Sequence, residues 1–107
     1  MLTRQYYERR ARIVKAMAHP SRLMMLDALT AGELCVCELQ RLVGGDMSTV
    51  SKHLALMKAA GLVKMRKQGL QVYYSLCVPC VNGFFGCVDA VIHADRDEAA
   101  AGGRQEM

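Results

Sequence analysis

Five cysteines hold the reactive side chains of this 107-residue sequence. Cys35 and Cys37 stand one residue apart in "GELCVCELQ", and Cys77, Cys80 and Cys87 follow in "CVPCVNGFFGC". Thiolates are soft ligands, suited to trivalent arsenic or antimony and to cadmium, lead, zinc or copper(I). Residues two apart on a helix do not normally share a face. The pair escapes that limit if Cys35 is the residue capping a helix, because the cap backbone is extended and its side chain turns back over the first turn. Cys37 would sit in that turn, so both sulfurs can converge where the positive end of the helix favours a charged sulfur. The plainer alternative is a pair of small core hydrophobes.

The second cluster offers other options. Cys77 and Cys80 make a C-x-x-C around Pro79, spaced for a shared metal or a reversible disulfide. Cys80 and Cys87, seven residues apart, lie about 10 Å apart along a helix axis. One ion could join both only where the helix crosses a second copy. The motif lacks a thioredoxin-like strand context, which argues against a dithiol enzyme. Asp89, His93 and Asp97 are spaced by four on the same segment. They fit either a metal site shared across a dimer or, more simply, a solvated helix face. With no phosphate-binding glycine loop and no nucleophile-base arrangement, the expectation is a protein that is not an enzyme.

Helices must position these groups. "RQYYERRARIVKAMA" brings Tyr7, Ile13, Val14 and Met17 near one stripe, as a first helix would. Pro20 suits the first position of a second helix, about 20 to 30, with Leu23, Met24, Leu26 and Leu29. A short third helix, about Val36 to Val43, has Cys35 at the cap and Glu38 three residues on, the spacing of a capping box. Asp46 or Ser48 can cap a fourth helix that runs to about Ala60, with Val50, Leu54 and Met57 as its apolar side and Gly61 as its end signal. Two extended runs, Leu62 to Arg66 and Leu70 to Leu76, then flank Gly69 as a hairpin. Pro79 opens a last helix to about residue 95, expected to be buried through Val81, Phe84, Val88, Val91 and Ile92. The tail from about residue 96 looks frayed.

The expected fold is therefore mainly α with a two-stranded hairpin: a winged helix-turn-helix of five helices in a single domain, residues 1–107. A chain this short gains buried surface by pairing with a copy of itself, and the apolar first and last helices suit that role. With 52% hydrophobic and 22% charged residues the chain should fold. It has no apolar run of membrane-spanning length and no apolar core of a secretion signal at its start, so no membrane partner and a cytoplasmic residence are expected, with the cysteines as free thiols. Residues 1–76 contain twelve Lys or Arg against five Asp or Glu, and residues 77–107 two against five. A basic body with an acidic tail suits a polyanion.

That polyanion would be double-stranded DNA. The fourth helix presents Ser48, Thr49, Ser51, Lys52 and His53 in its first turns, short or polar groups able to approach base edges and phosphates. The hairpin adds Lys64, Arg66, Lys67 and, near its tip, Gln68, a cationic group for backbone or minor groove. A two-fold dimer would set two such helices one turn of DNA apart, on a palindromic operator.

The stretches "MAHPSRLMMLDAL", "GELCVCELQ" and "MSTVSKHLALMKAAGLVKMRKQGLQVYYSL", in this order and spacing, resemble the ArsR/SmtB repressors from about residue 10 to 76. The resemblance implies a dimer that binds its operator and leaves it when an effector binds. "ELCVC" is similar to the signature of the arsenite and antimonite sensors, which implies Cys35 and Cys37 as ligands of As(III) or Sb(III) with a third thiolate. Such sensors often have a third cysteine three residues after the second, where this chain has Gln40. The remaining candidates are Cys77, Cys80 and Cys87. Three other readings stay open: a repressor of the same fold that responds to Cd(II), Pb(II) or Zn(II), a thiol redox or persulfide sensor, and an effector-independent architectural DNA-binding protein.

Overall fold

The computed structural model describes the backbone of residues 2–100 and the side chains of residues 2–96. Asp97 and the tail that was expected to fray lie, wholly or in their side chains, outside the described residues. The order is α1 (Arg4–Met17), α2 (Pro20–Leu29), β1 (Leu34–Cys35), α3 (Val36–Val43), α4 (Met47–Ala59), β2 (Val63–Gln68), β3 (Gln71–Leu76) and α5 (Val81–Ala100). This is the expected winged helix-turn-helix of five helices, with one addition. The hairpin belongs to a three-stranded antiparallel sheet in the order β1-β3-β2, because Leu34 and Cys35 pair with Tyr74 and Tyr73. A two-residue strand has no periodicity to read, and only its partner reveals it.

Local chemistry sets the boundaries. Pro20 begins α2 behind His19, whose Nδ1 accepts the Ser21 amide at 3.1 Å. At the far end of α4, Gly61 takes a φ of 83°. Its amide donates to the Lys58 carbonyl at 3.0 Å and the Leu62 amide to the Met57 carbonyl at 2.9 Å. This paired closure of a helix end sends the chain straight from α4 into β2. Each hairpin strand begins one residue later than expected, at Val63 and Gln71, and the first runs on two residues past Arg66, so the ladder closes at the register pair Gln68–Gln71. Gly69, at φ 62°, fills the first place of a two-residue turn that only a residue tolerant of positive φ fills cheaply.

One core holds α2, α3, α4 and the sheet together. Met25, Leu26, Leu39, Val50, Leu54, Met57 and Leu62 are fully buried, each worth about 1.5–3 kcal/mol of transfer from water. Val50, Leu54 and Met57 are the expected side of α4. In α2 the inward residues are Met25, Leu26 and Leu29, whereas Leu23 and Met24 point outward. The expectation for the last helix fails in more respects. It starts at Val81, two residues after Pro79, and runs on to Ala100. Val81 is buried and Phe85 leans on the core, but Phe84, Val88, Val91 and Ile92 are 43–63% exposed. Tyr7, Ile13 and Val14 of α1 are exposed in the same way. Between them, Val14, Met17, Leu23, Met24, Val88 and Ile92 line an open apolar groove. Apolar residues left uncovered in one chain are what a second chain covers.

Candidate DNA-reading surface and cysteine site

The front of α4 is built around Asp46. Its carboxylate accepts the Thr49 amide at 2.8 Å and the Ser48 hydroxyl at 2.9 Å, and the Thr49 amide first, then the Ser48 hydroxyl, holds it below the usual carboxylate range. Ser48, Thr49, Ser51 and Lys52 are all exposed. The Asp46 charge offsets part of the helix-end field for phosphate, so α4 offers side chains more than an anion site. His53 behaves differently. It is half-buried, its ring centroid 4.4 Å from that of His19, and its pKa is lowered, first by burial and then by the charges of His19 and Arg22. It packs α4 onto the start of α2.

The wing likewise divides its cations. Alternation puts Lys64, Arg66 and Gln68 on one face of β2 and Lys67 on the other. Arg66 is committed within the chain: Nη2 and Nε donate to Glu33 at 2.7 and 3.1 Å, and Nη1 donates to Gln68 Oε1 at 2.6 Å. Its guanidinium also lies 4.8 Å from the centroid of Tyr73. Hydrogen bonding to Arg66 holds Glu33 low, and Glu33 holds Arg66 high. Leu70 at the wing tip is fully exposed. The extended run expected from Leu70 starts instead at Gln71, because Leu70 beside Gly69 completes the two-residue turn.

Cys35 is the cap of α3, with extended backbone (φ −81°, ψ 161°), and makes the expected capping box with Glu38. The Cys35 amide donates to Glu38 Oε1 at 3.0 Å; that bond, then the Cys35 thiol, keeps the Glu38 carboxyl below its ordinary range. Cys35 is half-buried and Cys37 exposed. Cys35 is also a strand residue. It stands opposite Tyr73, which stands opposite Arg66, and directly opposed residues share a face of the sheet. Cys35, Tyr73 and Arg66 thus form one row across three strands, with Glu33 beside it.

The C-terminal thiols are placed apart from this row. Cys77, Cys80 and Cys87 are exposed and unbonded to one another. Cys77 lies four residues beyond Tyr73 in the direction of β3, about 13 Å along the strand. Among the described residues, no three His, Cys, Asp or Glu side chains gather to hold a metal within the chain, and that includes Asp89 with His93.

A capped reading helix, a basic antiparallel wing and a shared core are the parts of a winged helix-turn-helix DNA-binding protein. Comparison with known proteins narrows the class. The model of the bacterial regulatory proteins of the arsR family matches residues 19–70. An uncharacterized helix-turn-helix transcriptional regulator of Methanocaldococcus jannaschii is 38% identical over 84 residues, covering 78% of this chain and 94% of that one. A homolog of the cadmium resistance transcriptional regulatory protein CadC from Staphylococcus aureus is 40% identical over 67 residues, 62% of this chain and 55% of its own length. Among solved structures, a homodimeric winged helix-turn-helix DNA-binding domain from Mycobacterium bovis superposes with a TM-score of 0.71 at 30% identity, covering 96% of this chain and 92% of that one. The chain belongs to the arsR family, and it is a DNA-binding transcription regulator, not an enzyme. No helix among the described residues is long and apolar enough to cross a membrane.

Proposed function

We propose that this chain is the arsenite- or antimonite-responsive member of a resistance operon, released from its operator when Cys35 and Cys37 bind the metalloid. It is a homodimeric repressor that binds double-stranded DNA. The observation that carries the effector reading is the double role of Cys35, which is at once the cap of α3 and the strand partner of Tyr73. A metalloid drawn to this sulfur and to Cys37 acts on two elements together. It pulls the start of α3, which packs against α4, and it tilts the row that holds Arg66 in the wing. Release requires the effector to bind the DNA-incompatible arrangement more tightly than the DNA-bound one, and strain at this junction supplies such a difference.

Trivalent arsenic is satisfied by three sulfurs. The strand separation of Cys77 from Cys35 favours a third ligand from the partner subunit, or a small ligand, over one from the same chain. X-ray absorption on arsenite-loaded Cys77→Ser, Cys80→Ser and Cys87→Ser proteins counts the sulfurs directly. Titration of an operator-bound sample with arsenite, cadmium, lead and zinc tests the effector itself. Release by cadmium or lead with indifference to arsenite would transfer the assignment to the divalent metals, the reading favoured by the similarity to a cadmium resistance regulator. The exposed thiols of Cys77, Cys80 and Cys87 support a second alternative, a redox or persulfide sensor. Mild oxidation without metal, followed by mass measurement and an operator-binding assay, separates it from the metalloid reading.

A further inference from the structure

Helix α1 has five Arg or Lys against one Glu, a surplus equal to the whole chain's net charge of +4. Two of those cations are occupied: Arg4 pairs with Glu8 at 3.6 Å, and Arg10 lies over the rings of Tyr6 and Tyr7 at 5.3 and 5.2 Å. The other three, Arg9, Arg12 and Lys15, form no ion pair among the described residues. They converge with Arg22 of α2 on an open groove of about 550 Å³ whose remaining wall is Ile13 and Ala16 of α1, Leu56 and Ala59 of α4, and Ala60 just beyond it. No acidic side chain lines it among the described residues. On the same Arg22 side chain, Nε is buried without a hydrogen-bond partner among the described residues. Like charges three or four apart on a helix destabilise it, and an unpaired buried guanidinium nitrogen costs more. This arrangement suits an anion brought from outside.

The α4 wall indicates which anion. Thr49, Lys52, Leu56 and Ala59 are spaced by three and four, so they make one stripe of the helix. From Lys52 to Ala59 that stripe advances about 10 Å along the axis. The groove therefore continues the face that reads DNA and turns it toward α1. We propose that this α1–α2–α4 groove binds the phosphate backbone of duplex DNA flanking the bases read by α4, through Arg9, Arg12, Lys15 and Arg22. The inference deepens the DNA-binding role and is independent of which effector the cysteines bind.

The test uses the full-length dimer and the operator it selects from a pool of random duplexes, first at the shortest bound length and then extended by ten base pairs at each end. The parent should bind the extended duplex more tightly and with a steeper salt dependence. The triple variant Arg9→Gln, Arg12→Gln, Lys15→Gln changes exposed side chains and should keep the parent's circular dichroism. On the extended duplex it should lose that gain, its log–log salt slope shallower by about 0.9 for each phosphate contact removed. On the short duplex it should bind within about twofold of the parent. Equal affinity of the parent for both lengths would overturn the proposal. So would equal losses by the variant on both, or the same loss in a charge-matched control with Arg4, Arg10 and Arg96 changed to Gln.

Discussion

The two groups of cysteines in this chain are attached to the fold in opposite ways. Cys35 and Cys37 sit where a strand becomes a helix, and Cys35 is tied by backbone pairing to β3 and by its amide to Glu38. Cys77, Cys80 and Cys87 lie on the exposed path from the end of β3 into α5, a helix that meets the core through Val81 and Phe85 only at its start. On the proposed reading, a ligand at the first pair would act on elements that read DNA. A ligand at the second group meets residues that a single chain leaves uncovered. The contrast teaches that thiol chemistry alone does not make a switch; the thiol must be bonded into something that moves.

The largest effect should come from breaking the first site. Cys35→Ser and Cys37→Ser should each abolish arsenite-driven release, which in coupled systems of this kind is worth about 5- to 150-fold in operator affinity. Cys87→Ser should leave the release intact. Fluorescence anisotropy of a labelled operator, with and without arsenite, reads both; equal sensitivity of Cys87→Ser and Cys35→Ser would erase the distinction between the groups. Next in size is the uncovered face. Val88→Asp with Ile92→Asp places charges in the apolar groove and should raise the dimer dissociation constant by more than tenfold, seen by sedimentation. If the third sulfur comes from the partner, the monomeric variant loaded with arsenite should show two sulfurs where the parent shows three.

A smaller change tests the route from Cys35 to the wing. Glu33→Gln removes the charge that holds Arg66, and exposed ion pairs contribute little to stability, so melting should hardly move. The ratio of operator affinities with and without arsenite should nonetheless fall severalfold. An unchanged ratio would leave α3 and α4 as the sole path. The smallest effect belongs to neither cysteine group. Burial holds the His53 pKa below its ordinary 6.5, so the unfolded chain takes up that proton first as pH falls. Stability present above about pH 6.5 should then be lost as pH drops through 6.5 toward the lower folded value. His53→Gln should flatten the melting-temperature decline between about pH 7.5 and 5.5, while arsenite release keeps its own pH dependence. A decline identical to the parent's would remove His53 as its source.

Much of this was legible in the residues because it is local. Pro20 starts α2, Cys35 and Glu38 cap α3, Asp46 caps α4 and Gly61 ends it, each through groups within a few residues of one another. Val50, Leu54 and Met57 follow the helical period into the core for the same reason. Other features depend on partners distant in sequence. Nothing near Cys35 announces that it pairs with Tyr73, and nothing near Arg66 announces Glu33, thirty-three residues away. His53 reads as an exposed helix residue until His19, the cap of α2, arrives beside it. The apolar period of α5 was correct as a pattern, but a pattern states only that a face avoids water. Whether Phe84, Val88 and Ile92 meet their own core or a second chain is decided by where Val81 and Phe85 anchor the helix. Sequence determined the helices, the caps of α2, α3 and α4 and the presence of soft-ligand side chains, since those follow from neighbours along the chain. Tertiary structure decided which of those groups touch, because contacts between distant residues arise only when the whole core closes.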